Sequence, residues 1–265
     1  MPPSPALTAD DIAALRAQVH AALRDFVGFT PLPRSPLPPP GPETIARYID
    51  HTLLKPAATP HDIAALCAAA RQYGFASVCV NPRFVPQAVA ALQGSPVAVC
   101  TVVGFPLGAT TTGTKVHEAQ EALDAGATEL DMVQAIGLLK AGDLRGVAED
   151  MAAVVGVAHA RGARVKVILE TALLTPREIA LASLLAQAAG ADFVKTSTGF
   201  GPAGARAEDV ALMRAVVGDA LGVKASGGVR TYAQALAMIE AGADRIGASA
   251  GDRIVQQAQG QLPTA

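Results

Sequence analysis

From about residue 45 onward, short apolar runs alternate with longer stretches in which apolar positions recur every three or four residues. The short runs suit strands and the longer stretches suit amphipathic helices. The predicted strands are RYIDHT, ASVCVN, VAVCTVV, TELDMV, RVKVILE, DFVKTS, GVKAS and DRIGAS. A helix is expected after each, over 60–73, 84–93, 112–125, 143–161, 176–189, 206–218, 231–241 and 249–258. Three helix-to-strand joints read AGA, and Gly126, Gly190 and Gly242 fall where a helix ends in a left-handed residue. Eight βα units favour closure into a (β/α)8 TIM barrel over an open doubly wound sheet, which usually has fewer strands and a nucleotide-binding glycine loop after the first. Neither GxGxxG nor GxxxxGK[ST] follows the first strand.

Ahead of the barrel, residues 8–27 place Thr8 as a cap with Asp11 three positions on, and Ile12, Leu15, Val19, Leu23 and Phe26 recur at helical spacing. This predicts a helix of about five turns. The following GFTPLPRSPLPPPGP predicts a stiff, extended connector. The expected division is an appendage over 1–42 and a barrel catalytic domain over 43–265. The helix either docks its apolar face on the barrel or on a second subunit, or hangs as a loose tail.

Composition narrows the function. With 21 basic and 23 acidic residues the net charge is −2, so no broad field exists to grip nucleic acid or a membrane surface, and an anionic ligand needs a local site. Three cysteines without a CxxC suit a reducing cytosol. The opening MPPSPALTADD lacks a leader pattern and no run of about 18 apolar residues follows, so a cytoplasmic chain is expected. His20, His51, His61, His117 and His159 are scattered without HxH or HExxH, so neither a metal site nor another cofactor is expected. A homo-oligomer, dimer or tetramer, is expected, with no apolar seam marking its interface.

Strand parity carries the chemistry. Leu130, Met132, Val165, Val167, Leu169 and Val194 suit the helix-covered outside. Glu129, Asp131, Lys166, Ile168, Glu170, Phe193, Lys195, Ser197, Lys224 and Ser226 then face inward, together with Asp50, Cys79 and Asn81. Buried charge must be neutralised or held for use. Glu129, Lys166 and Arg245 are expected to form a closed ion-pair layer below. Lys195, Lys224 and Asp131 lie near the C-terminal strand ends, the face on which such barrels build active sites. Two crowded amines disfavour protonation, so one of them becomes a nucleophile able to form an imine with a carbonyl, with Asp131 and water carrying protons. Cys79 either lines the pocket or is plainly buried; Asp50 either meets substrate hydroxyls or caps a turn. In SGGVR, Gly227, Gly228, Val229 and Arg230 precede a helix start, and Gly199, Gly247 and Ser249 lie in flanking loops. That combination predicts a phosphate site and a small phosphorylated carbonyl substrate.

ELDMV, KVILE, DFVKTSTGF, VKASGGVR and RIGAS, in this order, with YIDHTLLKP and CVNPRF before them, resemble the deoxyribose-phosphate aldolase family of metal-independent, class I aldolases over about residues 45–258. The resemblance implies reversible cleavage of 2-deoxy-D-ribose 5-phosphate to D-glyceraldehyde 3-phosphate and acetaldehyde in deoxynucleoside catabolism. It implies Lys195 as the imine-forming lysine, Lys224 as its pKa-lowering partner and Asp131 as the proton-transfer carboxylate. Phe200 and Ala250 stand where some members carry lysine and serine, so phosphate binding is expected to lean on backbone amides. The rival readings are another imine-forming lyase of transaldolase type and a barrel that binds a sugar phosphate without turning it over.

Overall fold

The computed structural model describes residues 7–263; the first six residues of the appendage and the last two of the chain lie outside them. Eight strands, β1 (Ile49–Leu53), β2 (Ser77–Val80), β3 (Ala98–Val103), β4 (Glu129–Val133), β5 (Arg164–Ile168), β6 (Phe193–Lys195), β7 (Gly222–Ser226) and β8 (Arg245–Ala248), pair in parallel in chain order. β8 returns to β1 and closes a (β/α)8 barrel. The helices are α1 (Ala9–Ala22), α2 (Pro60–Tyr73), α3 (Val85–Leu92), α4 (Thr112–Asp124), α5 (Ile136–Lys140), α6 (Leu144–His159), α7 (Pro176–Ala189), α8 (Ala207–Val217), α9 (Tyr232–Glu240) and α10 (Gly251–Ala258).

Local chemistry fixes many of these boundaries. Thr59 with Asp62, Thr175 with Glu178 and Thr231 with Gln234 form reciprocal capping boxes at the starts of α2, α7 and α9. Pro60 and Pro176 occupy first-turn positions where a missing N–H costs nothing. Gly126, Gly190 and Gly242 all take positive φ, as their places after helices require. The outward set Leu130, Met132, Val165, Val167, Leu169 and Val194 is wholly buried beneath the helices. Each such side chain contributes about 1.5–3 kcal/mol by leaving water.

The amino-terminal helix is shorter than its apolar spacing predicts, 14 residues in α1. It ends in a turn closed by Phe26 N–H on the Leu23 carbonyl. Leu15, Val19 and Leu23 are buried in the main core, with α1 lying against α7. The connector is tied to the N-terminal rim of the barrel. Phe29 N–H donates to the Ala189 carbonyl at 3.2 Å, and Leu32 N–H to Asp192 Oδ1 at 2.6 Å. Arg164 donates to the Pro33 carbonyl at 2.7 Å and Arg34 pairs with Asp244 at 3.1 Å. A side chain on Gly28 would strike the Ala188 carbonyl and one on Gly190 would strike the Phe29 carbonyl, so close approach demands glycine at both.

Candidate active site

The inward positions of β1, β4, β5, β6, β7 and β8 converge on one ion-pair cluster. Register places Lys195 beside Lys224 on adjoining strands, and Asp131 beside Lys166. Asp131 lies at its centre. Its Oδ1 accepts from Lys166 Nζ at 2.8 Å and from Cys100 Sγ at 3.1 Å, and its Oδ2 accepts from Lys195 Nζ at 2.7 Å and Lys224 Nζ at 2.8 Å. The tips of Lys195 and Lys224 therefore share one oxygen.

The expected lower layer is not closed. Lys166 does reach Glu129 at 2.6 Å and Arg245 reaches Glu129 at 3.3 Å. Lys166 also binds Asp131, while Asp50 accepts from Arg245 at 2.6 Å and lies 2.6 Å from Lys224. Strand tilt in a closed barrel carries side chains of neighbouring levels toward the same axis, which merges the two layers into one cluster. Four cations, Lys166, Lys195, Lys224 and Arg245, face three carboxylates, Asp50, Glu129 and Asp131.

The cations are unequal. Lys166 lies within ion-pair range of all three carboxylates, and Lys224 and Arg245 of two each. Lys195 has Asp131 alone. Burial pulls the Lys224 amine down, but Asp131 and Asp50 together outweigh it and hold it above the ordinary lysine range. Lys166 is raised in the same way, chiefly by Asp131 against burial. Crowding thus does not make Lys224 the labile amine; it is a fixed cation. Burial pushes Asp131 up, and the three lysines more than reverse this, leaving it well below the usual carboxylate range. Asp50 and Glu129 are depressed too, burial again being opposed by their cation partners.

A pH profile follows. Depressed carboxylates contribute stability in full above their unfolded values of about 4, and lose it as pH falls through the folded ones. Raised lysines contribute in full below about 10.4, and lose it as pH rises through theirs. The cluster is therefore expected to leave the urea midpoint flat between about pH 5 and 9, with losses only outside that window; a cluster-dependent transition inside it would contradict the pairing.

Cys79 and Cys100 are register partners on β2 and β3, both wholly buried, beside Leu54 and Val102. The Cys100 thiol's hydrogen bond lowers Cys79, whereas burial, then that same bond, drives Cys100 well above the ordinary thiol range. Their sulfurs and a carboxylate oxygen of Asp131 lie within 4.8 Å of one another. Lys166 Nζ already sits 3.3 Å from Cys100 Sγ and 2.8 Å from Asp131, so an ammonium meets the potential a metal ion would need.

Three loops gather at the C-terminal ends of β6, β7 and β8. Gly227 and Gly228 both take positive φ, at 88° and 83°. Among the described residues the N–H groups of Gly227, Gly228 and Val229 find no protein acceptor, while those of Arg230 and Thr231 are spent on Gln234. A Cβ on Gly247 would crowd Ser226 and Lys224 Cε, so glycine there leaves room for the lysine stem. Gly199, Ser249 and the Arg230 side chain are exposed, and Phe200 packs edge-on against Phe105 at 5.4 Å. Asn81 donates to the Leu54 carbonyl at 3.2 Å.

Sequence parity missed two features of this region. Lys166 joins the Asp131 cluster itself, which depends on strand tilt. Glu170, expected inside the barrel, lies beyond the end of β5 in a left-handed conformation and turns toward Thr198.

Residues 44–257 match the pattern of the DeoC/LacD family aldolases. The chain is 61% identical over 217 residues to the deoxyribose-phosphate aldolase of Thermococcus gammatolerans, an overlap spanning 81% of this chain and 96% of that one. Against the deoxyribose-phosphate aldolase of Streptococcus pneumoniae serotype 19F the identity is 57%, over 79% of this chain and 94% of the other. Among solved structures, a putative deoxyribose-phosphate aldolase from Coccidioides immitis superposes with a TM-score of 0.81 at 43% identity, covering 96% of this chain and 98% of its own. The tetrameric enzyme of Aeropyrum pernix gives 0.79 at 33%, covering 97% and 100%. Both structural likenesses run past the family-matched region into the amino-terminal segment. With a closed barrel, a lysine-rich interior and a family match over most of its length, the chain belongs to the DeoC/LacD aldolase family.

Proposed function

We propose that this chain is a deoxyribose-phosphate aldolase that works through an imine on Lys195. The observation that carries the assignment is the charge count. One cation is in excess, and Lys195 is the one with a single carboxylate partner. It is the amine least tied to carboxylates and so the one best placed to serve as the nucleophile. The neutral amine attacks the substrate aldehyde carbon, and loss of water gives the imine. Asp131, with a water, takes the proton from the 3-hydroxyl as the C2–C3 bond breaks and D-glyceraldehyde 3-phosphate leaves. The electron pair rests in an enamine on Lys195. Protonation at C2 and hydrolysis then release acetaldehyde and restore the amine. Lys224 remains protonated throughout and holds the Asp131 carboxylate in place.

The phosphate is received by the amides of Gly227, Gly228 and Val229 with the loops carrying Gly199, Gly247 and Ser249, Arg230 closing from outside. Phe200 supplies an apolar surface rather than a charge, which leaves the grip to backbone N–H groups. Asp50, tied to Lys224 and Arg245, bears on the substrate through Lys224. Cys79 forms the floor. Among the described residues no helix is long and apolar enough to cross a membrane. Three buried free cysteines suit a cytoplasmic protein. The tetramer of the Aeropyrum pernix relative supports a homo-oligomer.

Borohydride reduction in the presence of acetaldehyde, followed by peptide mass mapping, tests the assignment. An ethyl group on Lys195 is expected. Modification of Lys166 or Lys224 instead would reassign the nucleophile, and no adduct would favour a barrel that only binds.

A further inference from the structure

Glu170 is the one non-glycine among the described residues with positive φ, at 56°. A left-handed glutamate carries backbone strain, and such strain persists where the surroundings over-determine it. They do so here. On one side Leu169 N–H donates to the Lys195 carbonyl at 2.8 Å, and on the other Thr171 N–H donates to the Thr196 carbonyl at 2.9 Å. The residue is 3% exposed and no lysine, arginine or histidine among the described residues pairs with its carboxyl group. A buried carboxyl group without a cation is costly unless hydrogen bonds compensate its lost hydration. Oε2 accepts from the Thr198 N–H at 3.2 Å and, at close range, from the Thr198 hydroxyl, while Oε1 is buried without a partner. The Thr198 hydroxyl, its proton committed to Glu170, accepts from Phe200 N–H at 3.0 Å. A Cβ on Gly201 would stand 2.9 Å from the carboxylate, so the turn folds directly over it.

The far end of the same loop is anchored separately. Ala205 N–H donates to the Gly227 carbonyl at 3.0 Å, and Gly204 lies too close to Gly227 to carry a side chain. The segment from Thr198 to Ala205 therefore spans two anchors: Glu170, and the glycine pair assigned above to the phosphate.

We propose that Glu170 is a positioning residue for phosphorylated substrates: it fixes the turn Thr198–Gly201, and through the loop's far anchor on Gly227 it sets the backbone amides that receive the phosphate. This rests on the aldolase reading and deepens it. Glu170 does not touch Lys195's amine, so imine chemistry on a two-carbon aldehyde does not depend on it, whereas recognition of the phosphate does.

The test compares wild type with Glu170→Gly, which keeps the left-handed backbone without strain and removes the carboxylate, and with Glu170→Gln, which keeps an acceptor for both Thr198 donors. Glu170→Gly is expected to raise KM for 2-deoxyribose 5-phosphate about tenfold or more. It should change kcat/KM for unphosphorylated 2-deoxyribose, and the rate of borohydride trapping of acetaldehyde on Lys195, by less than about threefold. Glu170→Gln is expected to restore KM to within about threefold of wild type. Should Glu170→Gly fail to fold, Thr198→Val cuts the same hydroxyl bond from the other side and is expected to give the same split. Equal losses on both sugars and on trapping, or no change in KM, would overturn the proposal. Absence of any Lys195 adduct in the wild type would instead sink the aldolase reading.

Discussion

Replacing Lys195 by leucine is expected to leave a folded protein whose turnover has dropped by about four orders of magnitude or more, since covalent catalysis has no substitute nucleophile in the cluster. Lys166 and Lys224 are held protonated by their carboxylates and cannot take over at neutral pH. Stability should barely suffer. The cluster goes from four cations against three carboxylates to three against three, and Asp131 Oδ2 keeps Lys224. A coupled retro-aldol assay beside a thermal melt checks both halves. Activity within tenfold of wild type would remove Lys195 from the mechanism, and gross unfolding would contradict the charge count.

Asp131→Asn should behave in the opposite sense for folding. The carboxylate anchors three ammonium groups through both oxygens, and an amide of the same shape turns one of those acceptors into a donor facing lysines. Four cations are then left against two carboxylates in a dry interior. Breaking a buried ion pair from one side typically costs about 3–5 kcal/mol, and loss of the proton carrier lowers kcat by about 10²–10⁴-fold. Adding Lys195→Leu to Asp131→Asn removes the cation left without a carboxylate partner and is expected to recover part of the stability with none of the activity. Urea denaturation of the two singles and the double gives the coupling directly. An Asp131→Asn protein as stable as wild type would show that the carboxylate does not organise the cluster.

Much of the architecture could be read from periodicity because both of its components are local. The helix starts expected at residues 60 and 176 fall where Thr59 and Thr175 cap α2 and α7, and alternation in TELDMV and RVKVILE separated outward Leu130 and Val165 from inward Asp131 and Lys166. Parity could not foretell that Lys166 and Asp50 would join the upper charges, since that depends on how tilted strands stagger around a closed barrel. Glu170 escaped because alternation was carried past Ile168, where β5 ends and the backbone reverses hand. Helix α5 and the short 3₁₀ turns at Ile45–Tyr48, Pro82–Phe84 and Thr171–Leu173 went unforeseen; none is long enough to show a period.

The lacing of the connector under the rim bears on anyone who shortens this protein to its family-matched portion. Cutting before residue 44 would strip Leu15, Val19 and Leu23 from α7, baring Leu184 and Ala188 to water. It would also deprive Asp192 and Arg164 of the main-chain groups they grip. The appendage is thus a brace beneath the barrel, gripping Asp192 just ahead of the sixth strand.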